Sequence, residues 1–267
     1  MLLFLWSIIA PLFIGMEEVC LKEAAMIRIN GQFIQDSQLN GIQVTAKQRP
    51  VLNNIASNQT VYDFYTLDEL VFEVTVRANT TQASYDLLQS GVGFADFEHS
   101  TCNQALWTLT REGGFLLKPS VSPQRGIDDI FKNGSMYSFE CAVAIIIIFY
   151  KATLDSIGAA SFNQLFRGLY LFSWRYDEDL HLISHSGSEF LPGDCVYFNN
   201  PDFNPLTPEW RGENTIVMDY DLYFGHGIGI APGADIIKSL NEQRRPRAVL
   251  SAYLENRITH PEYRYLR

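Results

Sequence analysis

Cysteine is scarce in this chain, and the four present, Cys20, Cys102, Cys141 and Cys195, lie far apart with no C-x-x-C pair among them. A chain of 267 residues can bury a core of its own, so this spacing is not a disulfide framework. It points to a reducing compartment and at most one reactive thiol. Low-complexity tracts, internal repeats and Pro/Ser-rich linkers are also missing. With 47% hydrophobic and 19% charged residues, the composition is that of one globular domain. Positive charge is short too: the net charge of -10 argues against nucleic acid as a partner, because such binding relies on neutralising phosphates. The exception is local. From Lys238 to the end there are seven basic residues against three acidic ones, with Arg244, Arg245 and Arg247 close together. This is either a solvated helix end and tail or a docking patch for an acidic protein surface.

Metal and nucleotide signatures are absent as well. His181-Leu-Ile-Ser-His185 lacks the Glu of a zinc-protease helix, and Pro232 stands where a dinucleotide-binding loop needs its third glycine. There is no EF-hand loop, and Asp177-Glu178-Asp179 reads as a solvated acidic loop, so no metal is expected. Sequons at Asn58, Asn79 and Asn133 carry no meaning for a chain that stays inside a cell. Residues 1–15 are apolar but short for a membrane span, and no Lys or Arg precedes them as in a secretory signal. Lys22-Glu23-Ala24 can be encoded by a purine-rich ribosome-binding sequence just ahead of the Met26 codon. The expectation is that Met26 is the true start, that residues 1–25 are translated upstream sequence, with an unusual signal peptide or anchor as the alternative, and that the domain is 26–267.

What is present is a progression from helix to strand. Thr66 and Glu69 form a capping box ahead of a helical pattern that Gly91 stops. Gly126 to Phe131 suggests a short helix. Tyr137 to Ile157, with its run Ile145-Ile146-Ile147-Ile148, predicts a long buried helix stopping at Gly158, and Ser161 with Gln164 caps another short one. From Gly168 the pattern turns to β: 168–174, 193–198, 214–218 and 222–230 read as strands. Met26 to Ile34 reads as an edge strand followed by a turn-rich stretch to Tyr65, and 236–240 and 248–258 read as helices. The fold class is therefore α+β, with helices packed against one antiparallel sheet.

Cys141 is the candidate nucleophile, since it stands at the start of the long helix, where unpaired amides and the dipole lower a thiol pKa. Its alternative is a small core residue. Glu140, beside it, is a charged residue entering an apolar segment. Cys195 reads as a buried strand residue and Cys102 as a loop residue. A thiol needs a base, and His226, in Gly225-His226-Gly227-Ile228-Gly229 on a predicted strand, has small neighbours that allow close approach; a structural histidine is the competing reading. Trp210-Arg211-Gly212-Glu213-Asn214 is the other dense polar cluster, or else a turn with a surface salt bridge.

Tyr137-Ser-Phe-Glu-Cys-Ala142, Leu191-Pro-Gly-Asp-Cys-Val-Tyr-Phe198, Trp210-Arg-Gly-Glu-Asn214 and Phe224-Gly-His-Gly-Ile-Gly-Ile230, in this order, resemble the protein-glutamine gamma-glutamyltransferases (transglutaminases) of Bacillus-type spore coats, from Met26 to Arg267. The resemblance implies a single-domain, NlpC/P60-like, papain-related core with Cys141 in a narrow tunnel. It assigns Glu213 as the partner carboxylate, Glu140 as a partial substitute and His226 as a secondary group. Phe94, Trp174, Tyr197 and Trp210 match its aromatic walls. It implies no cofactor, no calcium requirement and no membrane. The partners it implies are coat proteins bearing reactive Gln and Lys, joined by ε-(γ-glutamyl)lysine bonds in the mother-cell cytoplasm and spore coat. An NlpC/P60-type amidase hydrolysing γ-glutamyl bonds, or a non-catalytic coat scaffold, would be compatible with the same fold.

Overall fold

An apolar helix laid across an antiparallel sheet dominates the computed structural model, which describes residues 26–267. The expected upstream segment, 1–25, lies outside the described residues. The chain opens with β1 (Ile27–Ile29) and β2 (Gln32–Phe33), then α1 (Asp36–Gly41), α2 (Gln48–Ser57) and β3 (Tyr62–Phe64), which pairs in parallel with β1. The long α3 (Leu67–Gln89) begins as its sequence predicts. The Thr66 hydroxyl accepts from the Glu69 amide at 3.2 Å, and the Glu69 carboxylate accepts from the Tyr65 amide at 2.6 Å.

The middle of the chain holds β4 (Gly93–Phe94), β5 (Trp107–Leu109), β6 (Phe115–Leu117), α4 (Pro123–Lys132), β7 (Ser138–Phe139), α5 (Cys141–Leu165) and β8 (Tyr170–Leu171). β4 pairs in parallel with β7, which places Phe94 beside Phe139 just before α5. The last part is β9 (Leu182–Ser186), β10 (Cys195–Asn199), β11 (Gly212–Asp219), β12 (Leu222–Gly225), β13 (Gly229–Pro232), α6 (Gly233–Glu242), β14 (Tyr253–Pro261) and α7 (Tyr263–Leu266). Six of these strands form one sheet in the order β13-β12-β11-β10-β14-β9, every neighbouring pair antiparallel. α5 packs between α3 and β11. Its residues Ile145 to Tyr150 are fully buried, in a core shared with Phe115, Phe139, Ile216 and Phe224. Among the described residues α5 alone has the length and apolarity to cross a membrane, yet 72% of its apolar window is buried within the protein, as a core helix.

Three expectations are corrected. The segment 248–258 is not helical: 253–261 is strand β14, held between β10 and β9. The stretch read as turn-rich contains α2, which buries Val51, Leu52, Ile55 and Ala56 against β1, β3 and α3. The predicted strand 222–230 is a hairpin of β12 and β13, so His226 lies in the turn rather than on a strand. The expected stop at Gly158 is present: with φ 81° it leaves the helical conformation, and a second helical stretch follows to Leu165. Arg245, from the basic cluster, pairs at 2.6 Å with the buried Asp202, and Arg244 donates to the Leu250 carbonyl at 2.8 Å. These two side chains hold the chain between α6 and β14.

Candidate active site

Cys141 is the first residue of α5, delivered there by β7. Glu140 is the N-cap, in extended backbone, and its carboxylate folds back over the helix end: Oε2 accepts from the Ala142 amide at 2.9 Å and Oε1 from the Val143 amide at 3.0 Å. Two of the four unpaired donors of the helix terminus are thereby taken by a carboxylate. The Cys141 Sγ lies 3.6 Å from Glu140 Oε2 and receives a hydrogen bond from Asn214 Nδ2 at 3.3 Å. Cys141 is buried, with 7% of its surface exposed.

The expectation of a lowered thiol pKa is overturned. Burial first, then the Glu213 and Glu140 charges, push the Cys141 thiol well above its ordinary value, against the pull of Asn214. Glu140 has occupied two of the four terminal amides, which weakens the opposing effect of the helix terminus. Glu213, 3% exposed near the start of β11, is likewise pushed well above the usual carboxylate range by burial and then by Glu140. Its Oε1 is buried without a hydrogen-bond partner. A Cβ on Gly225 would approach Glu213 Oε1 to 3.2 Å, so the glycine leaves the room this carboxylate occupies. Burial pushes Glu140 up as well, against the two amides it accepts from.

His226 lies in the turn between β12 and β13. Its Nε2 is 3.2 Å from the Gly93 carbonyl, which can only accept, so Nε2 carries the proton. Burial lowers its pKa to about 4. Its ring lies 5.0 Å from Phe139 and 5.9 Å from Phe94, and Phe94 lies 6.1 Å from Trp210. Gly227, with φ 97°, keeps the turn clear of Phe94, which a Cβ there would meet at 3.0 Å. Tyr197, on β10, donates its hydroxyl to the Arg211 carbonyl at 3.3 Å, and burial followed by Cys141 raises its pKa. Trp174 is placed differently. It packs against the main core and lines a cavity with Tyr176, Leu182 and Arg257.

Five of the expected residues thus converge on one end of α5: Cys141, Glu140, Glu213, His226 and Tyr197. Phe94 and Trp210 form a wall beside them. Sequence reading gave Asn214 no role, although it stood in the polar cluster singled out. The available signal was a polar run, Glu213-Asn214-Thr215, inside a strand, and all three side chains are buried. The surface salt bridge considered for that cluster is not formed, since Glu213 is buried and Arg211 joins no ion pair among the described residues.

Comparison with known proteins gives the family. The family described as "Protein-glutamine gamma-glutamyltransferase" matches residues 26–267. The chain belongs to that family. A protein-glutamine gamma-glutamyltransferase of Bacillus cereus (strain B4264) is 47% identical over 83% of this chain and 80% of its own length. That of Bacillus pumilus (strain SAFR-032) is 43% identical over 91% of this chain and 98% of its own. A solved transglutaminase from Geobacillus stearothermophilus, without its C-terminal extension, is 48% identical with a TM-score of 0.73, covering 75% of this chain and 96% of that one. This transglutaminase therefore acts on proteins with reactive glutamine and lysine side chains, and its mixed α+β domain is similar to that of a bacterial enzyme of the same activity.

Proposed function

We propose that this enzyme cross-links spore-coat proteins in the mother cell through a thioester on Cys141, with Glu213 as the proton acceptor, on a core of the NlpC/P60, papain-related kind. The observation that carries the reading is a thiol that accepts from Asn214, together with a buried Glu213 oxygen that has no hydrogen-bond partner and whose carboxylate charge bears on that thiol.

Reference pKa values of roughly 4.3 and 8.5 make transfer from a solvated thiol to a solvated carboxylate uphill by about 5.7 kcal/mol. The buried pair differs. Thiol beside carboxylate and thiolate beside carboxylic acid each hold one proton and one negative charge, so burial penalises both arrangements alike. Transfer then depends on local contacts, and Asn214 favours the thiolate arrangement. His226 is less suited to this work, because its pKa is near 4 and its Nε2 proton is committed to Gly93.

The thiolate attacks the carbon of the γ-carboxamide, forming the C–S bond. The C–N bond breaks as Glu213 returns the proton, and ammonia leaves. A lysine ε-amine then attacks the thioester and gives its proton to Glu213; the C–S bond breaks and Cys141 recovers the thiol. The Phe94–Trp210 wall keeps water from the thioester in the interval. The test is incorporation of a fluorescent primary amine into a glutamine-bearing protein. Wild type is expected to form the amide, and Cys141→Ser to fall to background. Ammonia release without amide product would make the enzyme a hydrolase.

A further inference from the structure

The six-stranded sheet is irregular beside the nucleophile. In the β10–β14 pairing, Val196 lies opposite Ile258 and Phe198 opposite Leu254, so residues 255–257 bulge out where only Tyr197 faces them. Bulges re-aim side chains and are common beside active sites. This one delivers Arg257, whose guanidinium carbon lies 5.9 Å from the Tyr197 ring centroid. Arg257 is exposed and lines two cavities, one of about 390 Å³ along the bulge and one of about 210 Å³ walled by Trp174 and Tyr176.

Arg211, also exposed, immediately precedes β11, the other strand beside β10, and its backbone carbonyl accepts from the Tyr197 hydroxyl at 3.3 Å. Its charge bears on both Tyr197 and Glu140. Neither arginine joins an ion pair among the described residues, a state they share with seven other arginines; what sets these two apart is their place beside Tyr197. The carboxylate on the bulge, Glu255, accepts from Asn199 Nδ2 at 2.9 Å and forms no ion pair with Arg257. In a chain of net charge -10, two guanidiniums without ion-pair partners thus act on the tyrosine whose pKa Cys141 raises: Arg257 over its ring and Arg211 through its charge.

We propose that Arg211 and Arg257 form an anion subsite that binds a carboxylate side chain close to the reactive glutamine of the acyl donor. The inference rests on Cys141 being the nucleophile. Guanidinium forks match carboxylates in a way that a solvated lysine does not. The subsite belongs to the glutamine-bearing chain because the γ-carboxamide is neutral, while a lysine ammonium approaching the same rim would be repelled.

The experiment uses the full chain, one fixed amine acceptor, and peptides of equal length whose single glutamine is flanked by Glu, Asn or Lys. At low salt, kcat/KM for the Glu-flanked donor should exceed that for the Lys-flanked donor by about 10-fold, because two exposed charge pairs each contribute a few-fold. High salt should shrink the ratio. Arg257→Ala should reduce it and Arg211→Glu/Arg257→Glu should invert it. The ratio between donors is unaffected by any change in chemistry common to them all. A ratio near unity in wild type, or one unchanged in Arg211→Ala and Arg257→Ala, would overturn the subsite while leaving Cys141 in place. Absence of turnover with every donor would overturn both.

Discussion

At Cys141 burial first, and then the Glu213 and Glu140 charges, hold the thiol well above its ordinary value, while Glu140 occupies two of the helix-terminal amides. Removing either negative charge should therefore lower the thiol pKa. Ultraviolet titration of the thiolate in Glu213→Gln and Glu140→Gln should show this downward shift. Activity should move the other way, with Glu213→Gln partly active and Glu140→Gln more so. If either carboxylate can accept the proton, the double variant should lose far more than the product of the single losses. A wild-type level of activity in Glu213→Gln would remove Glu213 from the proton path. His226 sets a different pH dependence. Its folded pKa of about 4 lies below the ordinary 6.5, so the folded state binds fewer protons than the unfolded chain across that window. The stability it contributes is complete above pH 6.5 and is lost as pH falls towards 4. The loss from pH 7 to 5 is on the order of 2 kcal/mol. Glu213, with its raised pKa, works in the opposite sense, so comparison with His226→Gln isolates the histidine. Urea midpoints at the two pH values should converge in the variant. Measurable cross-linking should also survive in His226→Gln.

Elements differ in how openly the sequence declares them. The capping box of α3 and the isoleucine run of α5 were legible because local chemistry and burial agree there. The segment 248–258 was not, because Ala248-Val-Leu-Ser-Ala-Tyr-Leu-Glu-Asn suits a helix by propensity, while β10 and β9 impose a strand on its second half. The bulge at 255–257 also removes the two-residue alternation that would have identified β14. In α2, Pro50 and the paired Asn53 and Asn54 hid a helical spacing, although proline is tolerated in a first turn. The site was half legible for the same reason. Cys141 and Glu140 are read from one helix start, whereas Asn214 reaches the sulfur only through tertiary packing. Two glycines separate conformational from catalytic needs. Gly158 has φ 81°, and an added methyl there would meet nothing within 4 Å, so Gly158→Ala should cost about 1 kcal/mol, roughly 3 °C in Tm, with specific activity intact. Gly225→Ala would press on Glu213, at 3.1 Å from its Cγ, and should cost about 10-fold in kcat with a smaller change in Tm.

Across the whole molecule, the helical layer and the sheet are tied by one buried cation. Arg77 of α3, 2% exposed, donates to Asp194 at 2.7 Å, to Glu73 at 2.8 Å and to the Pro192 carbonyl at 3.2 Å. Its guanidinium carbon lies 4.9 Å from the ring centroid of Tyr263 on α7. Asp194 in turn accepts from the Leu191 amide at 2.8 Å and immediately precedes β10, the strand that carries Tyr197. Such a cluster favours one docking of α3 on the sheet, because any other leaves a charge buried without its partner. Arg77→Ala should therefore cost about 3–5 kcal/mol, roughly 10 °C in Tm for a chain of this length. Arg77→Met with Asp194→Asn removes both charges and should lose clearly less than the sum of the single variants. Both single variants should keep their turnover per folded molecule at low temperature, since neither group touches Cys141 or Glu213. Thermal unfolding followed by circular dichroism, with activity measured on the same samples, checks both halves. Additive losses of stability would mean that Arg77 and Asp194 contribute independently and that their pairing does not fix the register between helix and sheet.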